Sequence, residues 1–203
     1  MDALAHREII CSGLRRFIGA TFVARLVGVS LLLGALSASA QAVHPTESQV
    51  KAAYLYNFGK FVTWQMDRGA GSTLDICVLG KDPFGPVLDS TVSGESIDGH
   101  PIAVKRLVAI QDGSHCSILF IGSSEEGRLT SILPFTQSYG ILTVSDMPHF
   151  AERGGVIGFV SIEDKIRFEV NRSAAEQSHL TLSSELLKVA SSVIEQSSNG
   201  RHP

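Results

Sequence analysis

The sequence predicts an α/β fold: a single layered domain with a central, mostly parallel sheet of about 5–6 strands, an antiparallel edge hairpin, and helices on both faces. Three observations carry this expectation. Between residues 74 and 145 short apolar runs alternate with helix-like segments, the order expected of parallel strands joined by crossovers. The run CSILFIG (116–122) is apolar without a break, as in a central strand covered on both faces. Further on, GVIGFVSIEDKIRFEVNR (155–172) reads as two strands around a turn at Glu163-Asp164-Lys165.

Taken in order, TESQVKAAYLYNFGKFVTWQ (46–65) opens with Thr46 and, three positions on, Gln49, the spacing of a capping box at a helix start. Val50, Tyr54, Phe58, Phe61 and Trp64 or Gln65 recur at helical spacing, with Lys51 and Lys60 off that stripe, and the helix should end before the turn-rich residues 67–72. LDICVLG (74–80) is a strand; Lys81 to Gly85 form a turn into a short helix near 84–91. IAVKRL (102–107) alternates apolar and charged residues, which suits an edge or less buried strand. A helix should begin at Ser123-Ser124-Glu125-Glu126 and bury Leu129, Ile132 and Leu133. GILTVS (140–145) is a further buried strand, residues 174–178 a short helical piece, and Ser184 the cap of a last helix with Leu186, Leu187, Ala190, Val193 and Ile194 on its apolar face.

Residues 1–40 read as a secretory signal peptide rather than part of the fold. Arg15, Arg16 and Arg25 precede an apolar run, LVGVSLLLGAL (26–36), and the small residues SASAQA (37–42) follow. The run falls short of the roughly 20 residues that a spanning helix needs. Cleavage after Ala40 or after Ala42 fits equally, leaving residues 41–203 as one exported domain. The leader takes with it Arg7, Arg15, Arg16, Arg25, Asp2 and Glu8, so 17 basic and 20 acidic side chains fall to 13 and 18, a net of −5. That balance offers no electrostatic footprint for nucleic acid.

Cys11 leaves with the leader, so Cys77 and Cys116 remain, an even count in an oxidising compartment. A disulfide between them is expected; two buried thiols that never meet are the alternative.

The segment SDMPHFAERGG (145–155) concentrates Asp146, His149, Glu152 and Arg153. It carries no HxxEH, HxH or CxxC spacing for a metal, and His100, His115 and His179 stand singly elsewhere. There is no GxSxG, GKDPFG (80–85) lacks phosphate-loop spacing, and GSSEEGR (122–128) offers only a weak anion site at a helix start. Catalytic residues, metal ligands and cofactors are therefore not expected. The segment reads as a recognition loop at the carboxyl end of a strand, the favoured ligand side of a parallel sheet. His149 should face solvent, while Phe150 beside it is the residue that should pack down. Candidate contact residues are Tyr54 and Tyr56 on the first helix and Met147, His149, Phe150 and Arg153 in the loop, with Phe150 open to a core role instead.

The ordered motifs VKAAYLYNFGKFVTW (50–64), CVLGKDPFG (77–85), IDGHPIAVKRL (97–107), CSILFIGSSE (116–125), GILTVSDMPHFAERGGVIGFV (140–160) and KIRFEVNRSAAEQSHLTLSSELLKVA (165–190) resemble the YfiR-like (HmsC-like) periplasmic proteins. The resemblance implies a negative regulator that binds the periplasmic sensor domain of an inner-membrane diguanylate cyclase, or another membrane sensor, and lowers cyclic-di-GMP output. It also implies an outer-membrane lipoprotein that sequesters the regulator, a homodimer, and a disulfide joining the strand of CVLG to that of CSILFIG. A second cysteine pair found in some relatives near 145–160 is missing here. The rival reading is a periplasmic small-ligand module with a pocket beside the 145–155 loop and the helix start at Ser123.

Overall fold

The structure is a computed structural model and describes residues 44–65 and 72–195. The leader and its two cleavage positions lie outside the described residues.

The first helix, α1 (Glu47–Phe61), begins as its capping box requires: the Thr46 amide donates to Gln49 Oε1 at 2.8 Å and the Gln49 amide to Thr46 Oγ1 at 3.3 Å. It buries Lys51, Ala52, Leu55, Phe58 and Gly59. Phe61 is 37% exposed, and the helix stops there because Val62, Thr63 and Trp64 change to strand β1. These β-branched and aromatic residues suit an extended backbone. They pair antiparallel with β9 (Leu180–Leu182), closing a small second sheet that the helical reading of Trp64 missed.

The main sheet has eight strands in the order β3-β4-β2-β5-β6-β7-β8-β10. They are β2 (Leu74–Leu79), β3 (Ser96–Ile97), β4 (His100–Leu107), β5 (Ile118–Ile121), β6 (Leu142–Ser145), β7 (Ile157–Ile162), β8 (Lys165–Asn171) and β10 (Ser192–Ile194). Pairing is parallel from β4 across to β7. The expected α/β sheet is present, enlarged by the very short β3 and β10. The β7–β8 hairpin is antiparallel, and Glu163 and Asp164, with φ of 50° and 58°, make its two-residue turn. It does not form the outermost edge, because β10 adds to β8 in parallel.

Helix α2 (Pro86–Val92) follows β2; a 3₁₀ turn (Ser123–Arg128) and α3 (Leu129–Ser138) follow β5; α4 (Arg172–Gln177) and α5 (Ser184–Val189) come late. Strand alternation divides the core. Ile76, Val78, Ile118, Phe120, Leu142 and Val144 join the core that contains Leu55 and Phe58 of α1 and Leu88 of α2. Their neighbours Cys77, Leu79, Leu119 and Ile121 face Leu129 and Ile132 of α3 instead. Two departures concern the C-terminal segment. Ser183, not Ser184, caps α5, its Oγ accepting from the Leu186 amide at 3.2 Å. Val193 and Ile194, expected on that helix, lie in β10.

Candidate functional site

Strand order reverses between β2 and β5: the chain goes from β2 to β4 on one side and returns to β5 on the other. The crevice at the carboxyl ends of such a strand pair is where open α/β sheets place ligands. Here the two loops fill it. The Gly122 amide donates to the Leu79 carbonyl at 2.9 Å, and the Lys81 amide to Ser124 Oγ at 2.9 Å. A Cβ on Gly122 would stand 2.5 Å from the Lys81 carbonyl oxygen, and one on Gly80, at φ +82°, would collide with Ser124 and Glu125. Glu125 is buried and ion-paired with Arg128. The segment at Ser123 is thus a 3₁₀ turn packed against its neighbour, not the open helix start expected beside a pocket.

Below this crevice Cys77 and Cys116 are bonded, with Cα atoms 5.9 Å apart. Both are buried, and the bond ties β2 to the residues just before β5.

One strand further, the 145–155 loop is built on buried anchors. Ser145 Oγ donates to the Ile121 carbonyl at 2.7 Å and accepts from the Met147 amide at 3.1 Å. Asn171 Nδ2 donates to the Ala151 carbonyl at 2.7 Å, and the Gly155 amide to the Phe150 carbonyl at 3.0 Å. Gly154 adopts φ +98°, and the Phe150 ring occupies the space a Cβ on Gly155 would need. Met147 and Phe150 are each 1% exposed. The exposure expected of Met147 is therefore overturned: its amide is held by Ser145 and its side chain joins the core under α3. Phe150 packs down beside it.

The loop's polar residues stay outside. His149, at φ 58°, is exposed, with Nδ1 3.0 Å from Glu152 Oε2. Arg153 Nη1 donates to Glu126 Oε1 at 2.7 Å, linking the loop to the turn after β5. Tyr54 is half-buried; its ring lies 5.7 Å from that of Phe58 and 5.4 Å from that of Phe168, and its hydroxyl donates to the Ile166 carbonyl at 3.4 Å. Tyr56, also half-buried, donates from its hydroxyl to Glu95, and the Lys60 ammonium sits 3.9 Å over its ring. The structure thus brings His149 and Arg153 to one loop surface, places Met147 and Phe150 beneath it, and engages the two tyrosines with other elements.

Sequence reasoning missed Lys51. Its side chain is 7% exposed, and its ammonium contacts Asp146 Oδ2 at 2.7 Å and Glu47 Oε1 at 2.5 Å. Burial pulls the Lys51 pKa down, but the hydrogen bonds and charges of Asp146 and Glu47 outweigh it, so the net shift is upward. Thr46, Glu47, Ser48, Lys51, Pro83 and Asp146 line a cleft of about 380 Å³ at the start of α1. The Glu47–Lys51 spacing of four was the available signal, but it predicts only a surface pair. No group of three or more potential metal ligands occurs among the described residues. No described helix is long and apolar enough to cross a membrane.

Fold and site define an open α/β domain whose ligand crevice is closed and whose neighbouring rim presents charged side chains. The chain belongs to the YfiR/HmsC-like family, whose model matches residues 48–191. The family is one of periplasmic regulators, regulatory rather than catalytic. No curated protein matches the chain. Among solved structures it is similar to a conserved domain protein from Vibrio cholerae O1 biovar El Tor strain N16961, with 12% identity over 59% of this chain and a TM-score of 0.46. It is also similar to the ABC domain in complex with L-Trp from Streptococcus pneumonia, with 11% identity over 70% of this chain and a TM-score of 0.48. The chain spans 54% and 60% of those two chains.

Proposed function

We propose that this chain is a periplasmic negative regulator that binds the periplasmic sensor domain of an inner-membrane diguanylate cyclase and lowers cyclic-di-GMP output. The observation that carries the reading is the 145–155 loop of a YfiR/HmsC-like protein: a surface fastened by buried anchors, with His149, Glu152 and Arg153 held outward beside a filled crevice. A rim of this kind favours contact with a protein over enclosure of a substrate. Residues 1–40 act as the export signal, with cleavage after Ala40 or Ala42. An outer-membrane lipoprotein that captures the regulator would relieve repression, and the regulator works as a homodimer.

Repression then follows from differential affinity: the regulator shifts the cyclase only by as much as it prefers one state of the sensor domain. A tenfold change in that equilibrium needs about 1.4 kcal/mol of preference. The test is intracellular cyclic-di-GMP in the native host with the gene deleted and then restored. A rise on deletion that restoration reverses is expected. An unchanged level, with the protein shown to be expressed, overturns the cyclase as partner.

The cleft at Lys51 favours a second reading, a small-ligand module. Its ligand would be compact and polar, and it would raise the melting temperature saturably in the wild-type chain but not in Lys51→Met.

A further inference from the structure

Side chains of the 145–155 loop reach both faces of the main sheet. Met147 and Phe150 go down into the core under α3. Asp146 goes to the other face, that of Val144, which packs in the core containing Leu55 and Phe58 of α1. There its Oδ2 meets the Lys51 ammonium at 2.7 Å, a contact between residues 95 positions apart.

The lysine is a fixed post for this contact. Its side chain is 7% exposed, and Glu47 Oε1 holds the ammonium from the helix itself at 2.5 Å. Its neighbours Ala52, Leu55 and Phe58 are buried. The Phe58 ring lies 5.0 Å from that of Phe168 and 5.9 Å from that of Phe159, so α1 is locked onto β7 and β8. An exposed ion pair does little because two long side chains must be ordered to make it. Here one partner is ordered already by packing, so the bond can act on the position of the other. Ser145 and Asn171 hold the loop's backbone at Met147 and Ala151, and Asp146 fastens it to α1.

We propose that Lys51 is the positioning residue of the 145–155 loop. Its bond to Asp146 holds the start of the loop against α1, and His149 and Arg153 keep their places on the contact surface only while that bond is made. The first half concerns the fold alone; the second rests on the regulator reading. Lys51 itself, at 7% exposure, acts through Asp146 and not as a contact residue.

Hydrogen exchange in the folded, purified chain separates positioning from stabilisation in general. The amides of Phe150, Arg153 and Gly155 donate to carbonyls within the loop, so they report its local opening. In Lys51→Met they should exchange about tenfold faster than in the wild type. Asp146→Asn, which removes the charge and keeps the size, should loosen the same amides. The double variant should loosen them no more than Lys51→Met alone, because both changes break one bond. Ile76→Val, a core change on β2 of comparable expected stability loss, should leave them as in the wild type. Unchanged loop amides in Lys51→Met, or equal acceleration in Ile76→Val, would overturn the positioning.

In the deletion host, Lys51→Met restored to the wild-type protein level should leave cyclic-di-GMP well above the level reached with Ile76→Val. Equal repression by these two variants would overturn the dependence of the contact on Lys51. A wild type that does not repress would overturn the regulator reading alone, since exchange decides the positioning.

Discussion

The carboxyl-end rim of the sheet has two neighbouring regions built to opposite purposes. At the β2–β5 crevice, glycines let two loops close on each other, with Ser124 and Glu125 filling the space. One strand along, the 145–155 loop spends its hydrogen bonds on anchoring and leaves His149, Glu152 and Arg153 in solvent. The difference teaches that the topology alone does not locate a ligand site; the side chains after each strand decide whether it stays open. Changes in the closed region should cost stability, and changes on the open loop should cost function.

The largest effect should come from the closed region's disulfide. Cys77 and Cys116 are 39 positions apart, so replacing both by Ala should destabilise the fold by about 4 kcal/mol on the chain-entropy model, read from urea unfolding. Next is Gly122→Ala, whose Cβ would press on the Lys81 backbone; a loss of about 1–3 kcal/mol is expected by the same measurement. A neutral Gly122→Ala would mean the crevice is not closed.

Lys51→Met lies between the two regions. It leaves Asp146, 27% exposed at its side chain, without its cation, and should cost about 1–2 kcal/mol, less than a fully buried pair. Because the folded pKa of Lys51 lies above its ordinary 10.5, its contribution is complete below that pH and is lost as pH rises through the folded value. An unfolding series above about pH 10.5 should show this extra loss in the wild type and not in Lys51→Met.

A smaller effect sits on the outer wall. The hydrogen bond from Arg106 lowers the Asp89 pKa below its ordinary 3.8, against a lesser opposing effect of burial. Stability from this pair is present above 3.8 and lost as pH falls through the folded value, so Arg106→Met should reduce acid sensitivity in that window. The smallest loss is expected for Arg153→Ala, about 0.2–1 kcal/mol for a solvated ion pair, despite its place on the proposed contact surface.

The legible parts of the fold were those written in local pattern. Thr46 and Gln49 announce α1, and the apolar runs around Ile76 and Phe120 announce central strands, because capping and two-sided burial act over a few residues. The remainder depended on partners far along the chain. Val62–Trp64 becomes a strand through Leu180–Leu182, and Lys51 is buried because Asp146, 95 positions away, accepts its hydrogen bond. In the loop, the outward His149 was readable from chemistry, whereas Phe150 was open to a contact or a core role and takes the core one, so it is not an exposed contact. Met147 was not readable, since the Ser145 bond that turns it inward forms only once β6 lies beside β5.

The most direct test of the contrast is cyclic-di-GMP in the deletion host complemented with His149→Asn plus Arg153→Ala. Asn tolerates the positive φ of residue 149, so the loop keeps its shape. The variant should accumulate like the wild type and stay folded, with no more than the small loss of stability expected for Arg153→Ala, yet leave cyclic-di-GMP at the level of the deletion. Full repression by a folded variant would contradict the loop as the surface through which this regulator acts.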